Sequence, residues 1–423
     1  MRDEPTQITR LDNGFRVVSE AMPWLETAAI GVWVDVGARY EAAEVNGVAH
    51  MLEHMAFKGT ETRSARAIAE QMENVGGALN AFTGREHTAY YARVLAEDVP
   101  LAAEIVADIL RRSVFDPIEL ERERHVILQE IGQVQDTPDD LVFDLFQERA
   151  FPGQAIGRPI LGPEAIVARM PRQALVDYMA THYRPSRMVL AAAGKVEHDR
   201  LVELARRLFG DLADIPTAPA ERASYAGGRL VDRRKDLEQV HVCIGWEGVS
   251  WNDPDDHAQS VLSAALGGGM SSRLFQEVRE SRGLCYAVHT FASGYADTGL
   301  FGIYAGTSPK DLPELLRVVA AETEKLLDEA TEDEVARARA QIKAALLMGQ
   351  ESCANVCGEL ASQLLYFDRR VPTAETVAKL DAVDAAAVKR VGRRLLASRP
   401  ATLVTLGPVG RKVPEVGFDR LAA

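Results

Sequence analysis

Apolar positions along this chain switch between two periods. Phe15-Arg-Val-Val-Ser, Ala28-Ala-Ile-Gly-Val-Trp-Val-Asp-Val and Val240-His-Val-Cys-Ile-Gly-Trp are short runs rich in branched and aromatic residues, which predicts strands. Ala89-Tyr-Tyr-Ala-Arg-Val and Gly299-Leu-Phe-Gly-Ile-Tyr-Ala read the same way. Each of these two precedes a stretch of helical spacing, Leu101 to Arg112 and Leu312 to Leu327. A long helix then opens on Glu119-Leu-Glu-Arg-Glu-Arg in one place and on Glu334-Val-Ala-Arg-Ala-Arg in the other. The same succession of signals occurs twice, which predicts two similar α+β domains, each a mostly antiparallel sheet packed with helices.

Between the two copies, Gly210 to Gly228 concentrates Pro, Ala and Gly without periodicity, as a linker does. The expected organisation is a first domain over residues 1–213, a linker over 214–227 and a second domain over 228–423. A length of 423 residues is more than one hydrophobic core usually supports, which agrees with two domains.

Charge and cysteine content narrow the function. The net charge of −14 opposes binding to nucleic acid or an anionic membrane and favours basic ligands, although acidity also serves plain solubility. No stretch reaches the ~18 uninterrupted apolar residues of a membrane span, and the first residues carry mixed charge with no apolar run behind them, so the expected location is cytoplasmic. Cys243, Cys285, Cys353 and Cys357 are too few for a disulfide scaffold and are expected as reduced thiols.

The chemistry concentrates in His50-Met-Leu-Glu-His54. Val48, Met51, Leu52 and Met55 follow helical spacing over residues 47–57. On a helix His50, Glu53 and His54 share one face, so two imidazoles converge with a carboxylate beside them. That is the donor set of a catalytic zinc site with Glu53 as general base, and equally two surface histidines beside a glutamate. A third ligand is required. The expected helix from Glu119 to Val134 offers Glu121, Glu123 and Glu130, of which Glu123 and Glu130, two turns apart, share a face. Spacing alone does not choose among them.

His50 to His54, Glu130 downstream, and the surrounding Gly37, Gly47 and Phe57-Lys58-Gly59-Thr60 resemble the signature of the pitrilysin family, particularly its processing-peptidase branch. The resemblance continues through Asn80-Ala81-Phe82-Thr83 and His182-Tyr183-Arg184-Pro185-Ser186-Arg187-Met188 to Gly268-Gly269-Met270-Ser271-Ser272-Arg273-Leu274-Phe275, and so covers nearly the whole chain. It implies a zinc metalloendopeptidase with His50, His54 and Glu130 as ligands, Glu53 as catalytic base and Glu123 as supporting carboxylate. It also implies that the strand carrying Asn80, Ala81 and Phe82 is an edge that receives the substrate as an added strand, and that Arg279 and Tyr286 act on the substrate near the scissile bond. Family members with two domains assemble two chains into a chamber. Because one chain here carries both the metal motif and the Arg–Tyr pair, the resemblance implies a homodimer acting on extended peptides, a heterodimer with a related chain being the variant arrangement. The matching helix of the second half, around Ser260 to Ala265, has no metal ligand, so one zinc per chain is expected. The competing reading is a non-catalytic structural subunit of a processing-peptidase-like complex, against which the intact ligand set argues.

Overall fold

The computed structural model describes residues 6–397 and 400–410. In chain order, β1 (Gln7–Arg10), β2 (Arg16–Ala21) and β3 (Thr27–Val34) lead to α1 (Val48–Ala56) and α2 (Ala65–Glu73). The hairpin β4 (Ala78–Thr83) and β5 (Thr88–Leu95) follows, then α3 (Val99–Arg112), α4 (Pro117–Gln135) and α5 (Pro138–Ala150). Short α6 (Glu164–Val167), α7 (Arg172–His182), β6 (Met188–Gly194) and α8 (His198–Phe209) complete the first half. The second half contains β7 (Gly228–Arg233), β8 (Val240–Gly248), α9 (Asp256–Gly267), β9 (Cys285–Gly294) and β10 (Gly299–Thr307). Helices α10 (Leu312–Glu329), α11 (Glu332–Gly349), α12 (Cys353–Phe367), α13 (Thr373–Asp381) and α14 (Ala385–Ala397) precede the last strand, β11 (Thr402–Gly407).

The duplication read from the sequence is a duplication of topology. One sheet has the order β1-β2-β6-β3-β5-β4 and the other β7-β11-β8-β10-β9. Without β1, the two correspond strand for strand, including sense: β2 pairs parallel with β6 as β7 does with β11, and every other pairing is antiparallel. The two edges β4 and β9 are therefore counterparts. Helix α1, between β3 and β4, has α9 as its counterpart between β8 and β9.

Two compact units emerge from the packing. The first holds residues up to 132, 158–221 and 348–370, and the second holds 133–157, 222–347 and those from 371 on. Their boundary at 221/222 falls within 212–227, where the chain has no regular element. A linear division at that linker leaves one exchange unforeseen. In the first unit Ala28, Ile30, Val32 and Val34 of β3 face the core shared with α1 and α3, while Ala29 and Trp33 face Cys353, Val356, Leu360 and Leu364 of α12. In the second, Cys243, Tyr304 and Val404 pack against Leu141, Val142 and Phe146 of α5. Each half thus lends one helix, α5 or α12, to the other half's sheet. Coverage of both faces explains why β3 and β8 read as nearly unbroken apolar runs instead of alternating ones. All four cysteines are free thiols, with Cys353 and Cys357 buried under the first sheet. No described helix is long and apolar enough to cross a membrane.

Candidate active site

Helix α1 buries Val48, Ala49, Met51, Leu52, Met55 and Ala56, the stripe expected from their spacing, and leaves His50, Glu53 and His54 half-buried on the opposite side. Its start depends on Gly47, whose φ of 98° is left-handed and whose absent side chain leaves room for the Leu161 carbonyl. The cap itself comes from farther away. Glu41, fully buried, accepts the Gly47 and Ala49 N–H groups at 2.8 Å each and the Asn46 amide at 2.7 Å. Burial pushes its carboxyl up to about 7, while these three donors pull the other way.

Helix α4 brings the third donor. Glu130 Oε2 lies 3.7 Å from His50 Nε2 and 3.6 Å from His54 Nε2. His50, His54 and Glu130 form the group of potential ligands found among the described residues, with one donor atom each and all three mutually within 4.8 Å. Tetrahedral zinc, with bonds of 2.0–2.2 Å, places neighbouring ligand atoms about 3.3–3.6 Å apart, so the donor set fits that ion with little movement. Burial, with His54 alongside, pushes His50 down to about 3, so its imidazole is neutral and able to ligate at physiological pH.

Glu123, two turns before Glu130, is only 6% exposed. Its Oε2 lies 3.0 Å from His54 Nδ1 and its Oε1 2.7 Å from Lys58 Nζ. The first contact fixes the proton of His54 on Nδ1 and turns Nε2 toward Glu130, the usual carboxylate–histidine arrangement of metal sites. Glu53 stands on the same helix face; burial raises its pKa and Glu130 adds to that, whereas a hydrogen bond from Thr83 and the neighbouring His54 oppose it.

Strand β4 is an edge, paired only with β5 among the described residues. Asn80 and Phe82 are exposed along it and Ala81 is turned into the core. The Ala81 N–H donates to Asn80 Oδ1 at 2.8 Å. Arg279 and Tyr286 belong to the second unit. The Arg279 guanidinium lies 4.9 Å from the centroid of the Tyr286 ring, which is 79% exposed. Two irregularities create this contact. Arg279 sits in a π-helical turn, Phe275–Glu280. On β9, Cys285 pairs with Thr307 and Ala287 with Gly306, so Tyr286 is the extra residue of a β-bulge, which re-aims its side chain.

Three participants escaped the sequence reading. Lys58 continues the i, i+4 row of His50 and His54, a signal that was available. Thr83 ends the Asn80–Thr83 segment, but its contact with Glu53 is long-range. Glu41 caps a helix six residues ahead, beyond any local capping pattern. Among the other histidines, His198 bonds Thr9 and Ser19, His87 bonds Tyr366, and His241 bonds Tyr304.

A family model described as insulinase (peptidase family M16) matches residues 16–164, and one described as the peptidase M16 inactive domain matches 169–342. The chain is 40% identical over 420 residues to the mouse mitochondrial-processing peptidase subunit beta, covering 96% of this chain and 85% of that one. The chain belongs to peptidase family M16. Within this M16 family it is also 39% identical to an uncharacterized zinc protease of Streptomyces coelicolor, covering 98% of this chain and 92% of the relative. The fold is shared with a Helicobacter pylori protease, at a TM-score of 0.89 and 22% identity over 96% of this chain and all of that one. A chain of complex III2 from Candida albicans shares it too, at 0.86 and 22% over 99% of this chain and all of that one. His50, Glu53, His54, Glu123 and Glu130 lie within the insulinase segment, whereas α9, Arg279 and Tyr286 lie within the segment matching the inactive domain.

Proposed function

We propose that this M16 chain is a zinc-dependent endopeptidase acting on short or extended unfolded peptides, presequence-like segments among them. The observation that carries the reading is the convergence of His50 Nε2, His54 Nε2 and Glu130 Oε2 beside the Glu53 carboxylate. Zinc held by those three side chains, one ion per chain, would lower the pKa of a water toward ~7 and polarise the scissile carbonyl. Glu53 takes the proton from the attacking water and returns it to the leaving amine, a role suited to a carboxyl whose pKa burial has raised. The open edge β4 accepts the peptide as a further strand. Main-chain hydrogen bonds then supply affinity with little regard for side chains, once Asn80 releases the Ala81 N–H. Arg279 and Tyr286 donate hydrogen bonds to substrate carbonyls or to the developing oxyanion.

The working assembly is a dimer of two such chains, in which each zinc site is completed by Arg279 and Tyr286 of the partner chain; a heterodimer with a related chain is the variant. The acidity of the chain favours basic peptides. The gathering of His50, His54, Glu130, Glu123 and Glu53 at one place argues against a purely structural role.

The test is cleavage of a quenched fluorescent basic peptide of about fifteen residues by the wild type and by Glu53→Gln. Cleavage by the wild type alone supports the mechanism. Equal cleavage by both removes Glu53 from it, and inactivity of both, with zinc bound, moves the assignment to the structural reading or to an obligatory partner chain.

A further inference from the structure

Glu123 is a buried carboxylate held between two cationic or potentially cationic groups, and only one of them belongs to the metal site. Oε2 lies 3.0 Å from His54 Nδ1, while Oε1 lies 2.7 Å from Lys58 Nζ. The side chain of Lys58 is 30% exposed and that of Glu123 only 8%. An isolated surface ion pair contributes little, but removing one partner from a buried carboxylate leaves its charge uncompensated and its orientation unheld on that side.

The backbone around Lys58 is unusually well anchored for a loop. Gly59 takes a φ of 115°, open to glycine, and reverses the chain just after the lysine. Thr60 forms a bridge with Ser113, and the Glu61 N–H donates to the Arg112 carbonyl at 3.0 Å, which ties the loop to the segment leading into α4. Beneath it, the buried Asp108 accepts from the Thr60 hydroxyl at 2.6 Å, the Thr62 hydroxyl at 2.8 Å and the Arg63 guanidinium at 2.8 Å, all through Oδ2. The ammonium therefore reaches Glu123 from a fixed base, on the α1–α2 loop that is bonded to α3 and to the segment after it.

We propose that Lys58 is a positioning residue for the zinc site. By holding Oε1 of Glu123, it keeps Oε2 on His54 Nδ1, so that His54 Nε2 is aimed at the metal. The proposal rests on the reading of His50, His54 and Glu130 as zinc ligands. Outer partners of metal-binding histidines typically affect metal affinity by about 10–100-fold, and Lys58 acts one atom farther out through the same carboxylate.

The experiment measures zinc affinity of the full chain by competition with a chromophoric chelator, at one pH and salt concentration, for wild type, K58M, K58R, E123Q and K58M/E123Q. K58M is expected to bind zinc at least about tenfold more weakly, K58R to recover most of the loss, and the double variant to bind no more weakly than E123Q, because Lys58 works only through Glu123. Melting of the metal-free proteins identifies any variant that fails to fold, in which case K58R and K58Q carry the comparison. Wild-type affinity in K58M, or losses that add in the double variant, overturns the proposal. Failure of the wild type to bind zinc overturns the metallopeptidase reading itself.

Discussion

Thr83, the last residue of β4, lies against the Glu53 carboxylate on α1 and holds its pKa down, while its hydroxyl reaches the Ala49 carbonyl of the same helix at 3.4 Å. The edge proposed to receive the peptide and the base proposed to activate water are therefore mechanically joined. Thr83→Val keeps the shape and removes the hydroxyl. One hydrogen bond to a charged group corresponds to about 1.5 kcal/mol or more, so kcat is expected to fall roughly tenfold. Zinc content, measured by atomic emission, should stay at the wild-type level; a fall in zinc with kcat would make Thr83 a support of the metal site instead.

Removing Glu130 should remove the ion. With His50 and His54 alone, the site has no anionic donor to offset the metal's charge. Glu130→Gln is expected to purify with far less than one zinc per chain. A chelator should lower the melting temperature of the wild type, since a ligand at a hundred times its Kd stabilises by about 2.7 kcal/mol, and leave Glu130→Gln unchanged. An equal shift in both proteins would place the bound ion elsewhere.

Acid sensitivity should trace in part to His182. Its half-buried ring lies between Tyr40 and Tyr178, and its Nδ1 is buried with no hydrogen-bond partner among the described residues. Burial, helped by Arg187 and Arg184, pushes it down to about 4. The folded-state value lies below the unfolded one of ~6.5, so the stability it allows is complete above pH ~6.5 and is lost as pH falls toward 4. His182→Phe should match the wild type at pH 7 and lose about 1 kcal/mol less on going to pH 4.5, a figure discounted for a ring that is not fully buried. Denaturant unfolding at the two pH values measures it; parallel losses in both proteins would exclude His182 as a source.

Sharing of sites across chains has a direct readout. An inactive Glu53→Gln chain mixed with an inactive Arg279→Ala chain should regain part of the wild-type activity, because a mixed dimer contains one zinc site with its own Glu53 and the partner's Arg279 intact. No recovery in a mixed dimer verified by mass would sink the shared-site arrangement.

Local signals made much of this legible in advance. Helix α1 follows from the spacing of Val48, Met51, Leu52 and Met55, and the repeated strand–helix succession reappears as two sheets of matching order. Glu130 is different. Nothing in α4 distinguishes it from Glu121 except the side of the helix that tertiary packing turns toward α1, so spacing narrowed the candidates and the family resemblance chose. The bulge at Tyr286 and the π-helical turn at Arg279 leave no periodic trace, because each is a single extra residue within an otherwise ordinary element. Lys58 and Asp108 act over contacts between segments distant in sequence, which no window of the chain contains, and Glu41 caps α1 from outside any local capping pattern.

The exchange of α5 and α12 has a consequence for how the protein is made. Among the described residues α12 closes one face of the first sheet, and it ends at Phe367, about 150 residues after the first half has left the ribosome. At roughly 5–20 residues per second, Val18, Trp33, Ala89 and Val189 wait some 8–30 s for their cover during synthesis. Throughout that interval the nascent chain presents an apolar sheet face to the cell, and the first half cannot complete its fold before the second has been almost entirely translated.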